Sequence, residues 1–247
     1  MNMSFCLGVL SWLSFQISEV PIVTDRPDFT ESSVVVPKGS VQLESGFTFV
    51  RASKTSKSLS GPELLFRQGL TERLELRLGL PSFSRITNSG PSHIDGFGDT
   101  YVGAKLQLGP SKDGTEFAII PAVVIPTGHD DIRSENLAPE IKFVYSRSLS
   151  NGCALSGMVY VSSVKEGGRN TTPVQHTVSL GVPIREKVGM FVEHVLDVSR
   201  RERPSHLLHC GFTYQPKLKT QFDVHFGIGL TPGAPNYFVA GGYSIRF

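Results

Sequence analysis

Cysteine, tryptophan, excess charge and long apolar runs are all scarce in this chain, and three of these scarcities close off a class of protein. Only three cysteines occur, Cys6, Cys153 and Cys210, and none shares with another cysteine or a histidine a close spacing of the kind that suggests a metal site. Zinc sites and iron–sulfur clusters need such spacings, so neither a metal nor another cofactor is expected. Charge of one sign is missing too, because 24 basic against 22 acidic residues leave a formal +2. Nucleic-acid-binding domains concentrate positive charge, so DNA and RNA are not expected partners. Beyond the N-terminus no stretch approaches the ~18 consecutive apolar residues of a membrane-spanning helix. Such a chain can cross a bilayer only with strands.

The first 18 residues hold the apolar run Phe5 to Leu10 and then Trp12-Leu13, which reads as a candidate signal peptide. It is atypical, since no Lys or Arg precedes the run and no small-x-small pair follows it. Residues 19–40 show little periodicity and carry Asp25, Arg26, Asp28 and Glu31 on a Pro-punctuated segment. They read as an arm that is either a solvated periplasmic linker or a plug in the mouth of the domain that follows, with its charges facing Arg67, Arg73 or Arg77.

From Val41 onward apolar residues recur at every second position, the period of strands rather than helices. In residues 73–80, Leu74, Leu76, Leu78 and Leu80 take one face while Arg73, Glu75 and Arg77 take the other. Breaks at Gly, Pro, Asn and Ser clusters divide residues 41–247 into twelve strands, near 41–50, 62–69, 73–81, 97–109, 115–126, 137–149, 152–163, 174–184, 187–198, 206–215, 220–230 and 236–247. Most are long enough to cross a hydrocarbon core about 25 Å tall when tilted. The connections alternate between tight turns, such as Leu70-Thr71-Glu72 and Arg185-Glu186, and longer polar links such as 51–61 and 82–96. Short turns on one side and long loops on the other are expected of an outer-membrane barrel, and a soluble sandwich has no reason to sort them so.

The expected fold is therefore all-β: a transmembrane, up-and-down antiparallel barrel of about twelve strands. Its apolar face meets lipid and its polar face lines the lumen, which makes Glu44, Arg67, Glu75, Arg77, Asp99, Lys105, Asp223 and Arg246 the candidate solute path. Arg67, Glu75 and Arg77, with Asp99 and Lys105 on the next strand, would form a ladder of opposite charges. That ladder either constricts an open pore or fills a closed interior. The alternating end Tyr243, Ile245, Phe247 resembles the signal that bacterial barrel-assembly machinery reads, so that machinery, outer-membrane lipid and a small solute are the expected partners.

Catalysis is not expected. Outer-membrane phospholipases place a histidine and a serine two apart on one strand face; here His176 and Ser179 have the wrong parity. His206 and His209, three apart, would point to opposite faces of a strand. A non-conducting structural or adhesive barrel remains the other alternative.

The runs 24–32 (Thr-Asp-Arg-Pro-Asp-Phe-Thr-Glu-Ser), 41–46 (Val-Gln-Leu-Glu-Ser-Gly), 69–77, 98–100 and 121–128 carry a resemblance that spans most of the chain. It resembles the bacterial outer-membrane transporters labelled as belonging to the meta pathway of phenol degradation. The resemblance implies an outer-membrane β-barrel and a role in passing small hydrophobic or aromatic compounds, although a fold and a pathway label do not identify the solute.

Overall fold

The computed structural model describes residues 20–89, 93–150, 152–200 and 202–247. The signal-like segment and Cys6 lie outside these residues. Period-two patterning folds as expected into strands: β1 (Val41–Arg51), β2 (Lys57–Gly69), β3 (Leu74–Leu80), β4 (Phe83–Thr87), β5 (His93–Phe97), β6 (Thr100–Pro110), β7 (Glu116–Ile125) and β8 (Ala138–Ser148). They continue as β9 (Ala154–Ser162), β10 (Val164–Glu166), β11 (Arg169–Thr171), β12 (Val174–Arg185), β13 (Val188–Val198), β14 (Ser205–Lys217), β15 (Thr220–Gly229) and β16 (Tyr237–Arg246). All pairings are antiparallel, and β1 pairs with both β16 and β2, which closes the sheet on itself.

Twelve staves build the wall, although the strands outnumber them. β3 and β4 are one stave broken at Pro81-Ser82, and β5 and β6 one broken at Gly98-Asp99; β2 pairs with β3 below the break and with β4 above it. Residues 82–96, expected as a polar link, thus carry a hairpin, and β2 begins at Lys57 rather than at residue 62. A second small hairpin, β10 with β11, sits in the link at 165–173. These pieces escape a reading based on apolar alternation because they rise beyond the membrane, where water wets both faces and no apolar stripe is required.

The faces are assigned by burial. Leu76, Ile141, Phe212, Phe222 and Val224 stand outward and exposed, whereas Glu75, Arg77, Lys105 and Glu193 on the opposite face are buried. An apolar exterior over a charged interior inverts the arrangement of a soluble barrel, and only a bilayer satisfies it. Leu76→Arg is therefore expected to lower barrel stability by about 2–4 kcal/mol, as for a cation at mid-membrane. Heat-modifiable gel migration of refolded protein reports this, and wild-type behaviour of the variant would show that the faces are misassigned.

Candidate functional site: a lumen occupied by the N-terminal arm

The arm enters the barrel beside the β14–β15 turn, where the Ile22 amide donates to the Leu218 carbonyl at 2.6 Å. Arg246 of β16 donates to the carbonyls of Val20 and Pro21. The chain then climbs into the lumen, bends at Asp28 to Thr30, and descends along β8, β6 and β3. On the descent Ser33 meets Ser146, the Val35 amide donates to Gln107 and the Val36 amide to Glu75. Gly39, hydrogen-bonded to Gly69, leads out into β1. The bend is held by Asp25, whose Oδ1 accepts from the Ser32 amide at 2.8 Å and from its hydroxyl at 2.9 Å.

Neighbouring staves bring Glu44 (β1), Arg67 (β2), Glu75 and Arg77 (β3) and Lys105 (β6) together because Gln42↔Arg67, Arg67↔Arg77, Glu75↔Lys105 and Arg77↔Gly103 are register partners. Arg67 pairs with Glu44 at 2.8 Å, Glu75 at 2.9 Å and Asp25 at 3.2 Å. Arg77 pairs with Asp25 at 2.6 Å, Glu75 at 2.8 Å and Glu31 at 2.8 Å, and Lys105 reaches Asp25 at 2.8 Å. Lys142 of β8 adds a pair with Glu31 at 2.7 Å. In this structure the charges face the arm rather than an open path: Arg67, Glu75 and Lys105 have no exposed surface.

Charge explains why the arm fits. The wall contributes Arg67, Arg77, Lys105 and Lys142 against Glu44, Glu75 and Glu140, four cations against three carboxylates, and the arm brings Asp25 and Glu31. Burial by itself would raise the pKa of Asp25, but Arg67, Lys105 and Arg77 together hold it well below the ordinary carboxylate range. Glu31 is lowered in the same way, with Arg77 and Lys142 outweighing burial. Once these ions are out of water, each depends on its partners being present.

Opposite this cluster lies a second one, only part of which the sequence suggested. Glu193 of β13 accepts from the amides of Phe29 at 2.9 Å and Thr30 at 2.7 Å. It also meets His209 Nδ1 at 2.7 Å, and His209 Nε2 lies 2.8 Å from His225 Nδ1. Arg26 pairs with Glu63 and with Asp223, each at 3.2 Å, and its guanidinium lies against Gly46 and Gly242, register partners where any side chain would collide with it. Asp28 accepts from Ser179 Oγ at 3.0 Å; burial and the nearby Glu193 carboxylate raise its pKa to about 8.

Of the other sequence candidates, Asp99 stands apart from the ladder and binds the amides of Gly128 and Ser134, closing an outer loop. It lies in the break between β5 and β6, where alternation gives no reliable face. Arg73, named as an alternative partner of the arm, sits exposed at the β2–β3 turn. Tyr243 and Ile245 lie opposite buried Ser244 and Arg246, and Phe247 is the most exposed of these. Glu193, His209 and His225 did not stand out in the sequence because their wall of the lumen also carries Phe191, Val195, Leu207 and Phe238. Strict parity along β13 to β15 was the available signal.

Residues 24–247 match the model of the family described as "Putative MetA-pathway of phenol degradation". The chain belongs to this family. An outer membrane channel from Pseudomonas putida F1 resembles it at a TM-score of 0.67 and 14% identity, covering 87% of this chain and 98% of that one. The NanC porin (TM-score 0.57, 7% identity, 83% and 98% covered) and the KdgM porin (0.54, 10%, 83% and 99%) share the fold more loosely. Among curated proteins none matches the chain. This family member is an outer-membrane β-barrel, and its seated arm involves the first of the motifs quoted for the family resemblance.

Proposed function

We propose that the barrel passes small, largely apolar solutes from the outer face of the membrane into a vestibule above the arm, and from there towards the bilayer. The observation that carries this reading is the pairing of two cavities with a gap in the wall. The upper cavity, about 450 Å³, is lined by Val50, Val195, Leu207, Phe29 and Phe238 over a polar floor that includes Arg26 and His225. An adjoining cavity of about 290 Å³ runs from Arg26, Glu63 and Leu65 to Leu64, Leu80 and Ser82. Between β2 and its neighbours the ladder lapses from Ser60↔Ser84 to Leu64↔Leu80, and Pro62 and Pro81 lack the amide hydrogens that could bridge it. An unpaired stretch between two prolines costs less to open than a fully hydrogen-bonded one.

The arm narrows the lower lumen, where a cavity of about 410 Å³ remains between it and the wall of Gly181, Phe191 and Gln221; Arg26, Pro27 and Asp28 line both this cavity and the vestibule and stand between them, which favours a sideways path over a straight aqueous one. A catalytic reading lacks support, because His176 points outward while Ser179 is turned inward onto Asp28. The outward row Tyr243, Ile245 and Phe247 is proposed as the element that the barrel-assembly machinery engages. Uptake of labelled ethylbenzene by cells carrying the barrel tests the passage. Uptake is expected to exceed that of cells without it and to fall when Ser82→Trp obstructs the gap. Equal uptake with and without the barrel would refute the proposal.

A further inference from the structure

The vestibule described above is apolar on its sides and unevenly charged at its floor. Its titratable lining consists of Arg26, Asp28, Glu63, Asp197 and His225. Arg26 is the permanent cation among them, and it is already engaged by Glu63 and Asp223, both at 3.2 Å. A carboxylate arriving from outside would have to compete with these partners for the guanidinium. It would also approach Asp197, whose Oδ1 accepts from Gln175 at 2.8 Å. Counting Asp223 beneath the floor, three carboxyl groups, Glu63, Asp197 and Asp223, stand against the single guanidinium of Arg26, so the formal balance of the floor is acidic. Burial and the Glu193 carboxylate push the pKa of Asp28 up to about 8, which favours its neutral form.

We infer that this vestibule selects neutral or cationic amphiphilic solutes, an apolar ring or chain bearing a hydroxyl or an amine, and turns carboxylates away. The inference rests on the vestibule being a solute site, and it specifies the chemistry of that site. The apolar body lies between Phe29 and Phe238, whose ring centroids are 5.9 Å apart, and the walls of Val195 and Leu207. The polar end points to Glu63 and Asp197. In a cleft with low-dielectric walls, like charges repel over several ångströms more strongly than in water, so the sign of the floor decides which polar end is accepted.

Benzylamine, benzyl alcohol and benzoate share one ring and differ in charge, so they separate the possibilities. Methyl NMR of Val50, Val195 and Leu207 in the detergent-solubilised, full-length barrel would follow each as a probe. Benzylamine and benzyl alcohol are expected to shift these methyls in a saturable way, with the amine at least about tenfold tighter than benzoate. Asp197→Asn is expected to reduce the amine's advantage over benzoate several-fold. Benzoate binding as tightly as the amine would overturn the charge preference and leave the passage reading standing. Absence of saturable shifts with all three would overturn both. An unchanged preference in Asp197→Asn, in protein with wild-type gel migration, would also overturn the inference as argued.

Discussion

Asp25→Ala is expected to unseat the arm and raise the ionic conductance of the barrel several-fold while the wall stays folded. One carboxylate does three things at once: it faces Arg67, Arg77 and Lys105, it closes the bend onto Ser32, and it occupies the centre of a buried network. Removing it leaves two guanidiniums and an ammonium with fewer partners than their burial requires. Breaking a buried pair in this way costs about 3–5 kcal/mol, and here the cost falls on the docked state alone because a free arm lets water reach the same cations. A shift of that size is enough to turn a rarely vacated lumen into a frequently vacated one. The wall keeps its twelve staves through backbone pairing that does not involve the arm. Single-channel recording in planar bilayers gives the answer, with gel migration as the check on folding. If conductance stays at the wild-type value in a folded variant, Asp25 does not control the seat of the arm.

The second large effect concerns pH. Asp28 has an ordinary pKa of 3.8 when the arm is free and about 8 when it is docked, because burial and Glu193 oppose its charge. Docking therefore takes up a proton between these values. The contribution of this group to docking is fully present below about pH 4, declines as pH rises through the window from about 4 to about 8, and is constant above it. Conductance is expected to increase with pH across the same window. Asp28→Asn, neutral throughout, is expected to flatten this dependence and to keep the arm seated in alkali. Other ionisable groups face this end of the arm, namely Glu193, His209, His225, Arg26 and Asp25, and the difference between wild type and Asp28→Asn isolates the part due to Asp28. Parallel pH profiles for the two proteins would refute the assignment.

Much of the barrel was legible in the sequence because a membrane strand is constrained at every residue. Leu74, Leu76 and Leu78 must meet lipid and Glu75 and Arg77 must not, and a one-residue slip would exchange them. The same constraint located the tight turns on one side of the wall. It failed at residues 82–96, where the β4–β5 hairpin stands in water and Arg85 pairs with Asp95 on an exposed surface. Nothing there requires alternation. Pro62 marks a boundary in the sequence pattern, yet the chain continues through it as β2 by shifting register against β1 between Gly46 and Thr48.

The amino-acid sequence by itself determined the class of solvent that each face of this protein meets, since transfer of charge or apolar surface into the wrong medium costs more than any local preference recovers. It also determined that the residue 25–31 segment carries charges of both signs. Only the tertiary structure decided that this segment lies inside the barrel, that Asp25 belongs with Arg67, Arg77 and Lys105, and that Glu193, His209 and His225 face its bend. Each set lies on consecutive staves, but the two sets face one arm only because the sheet closes around it, which no local pattern encodes.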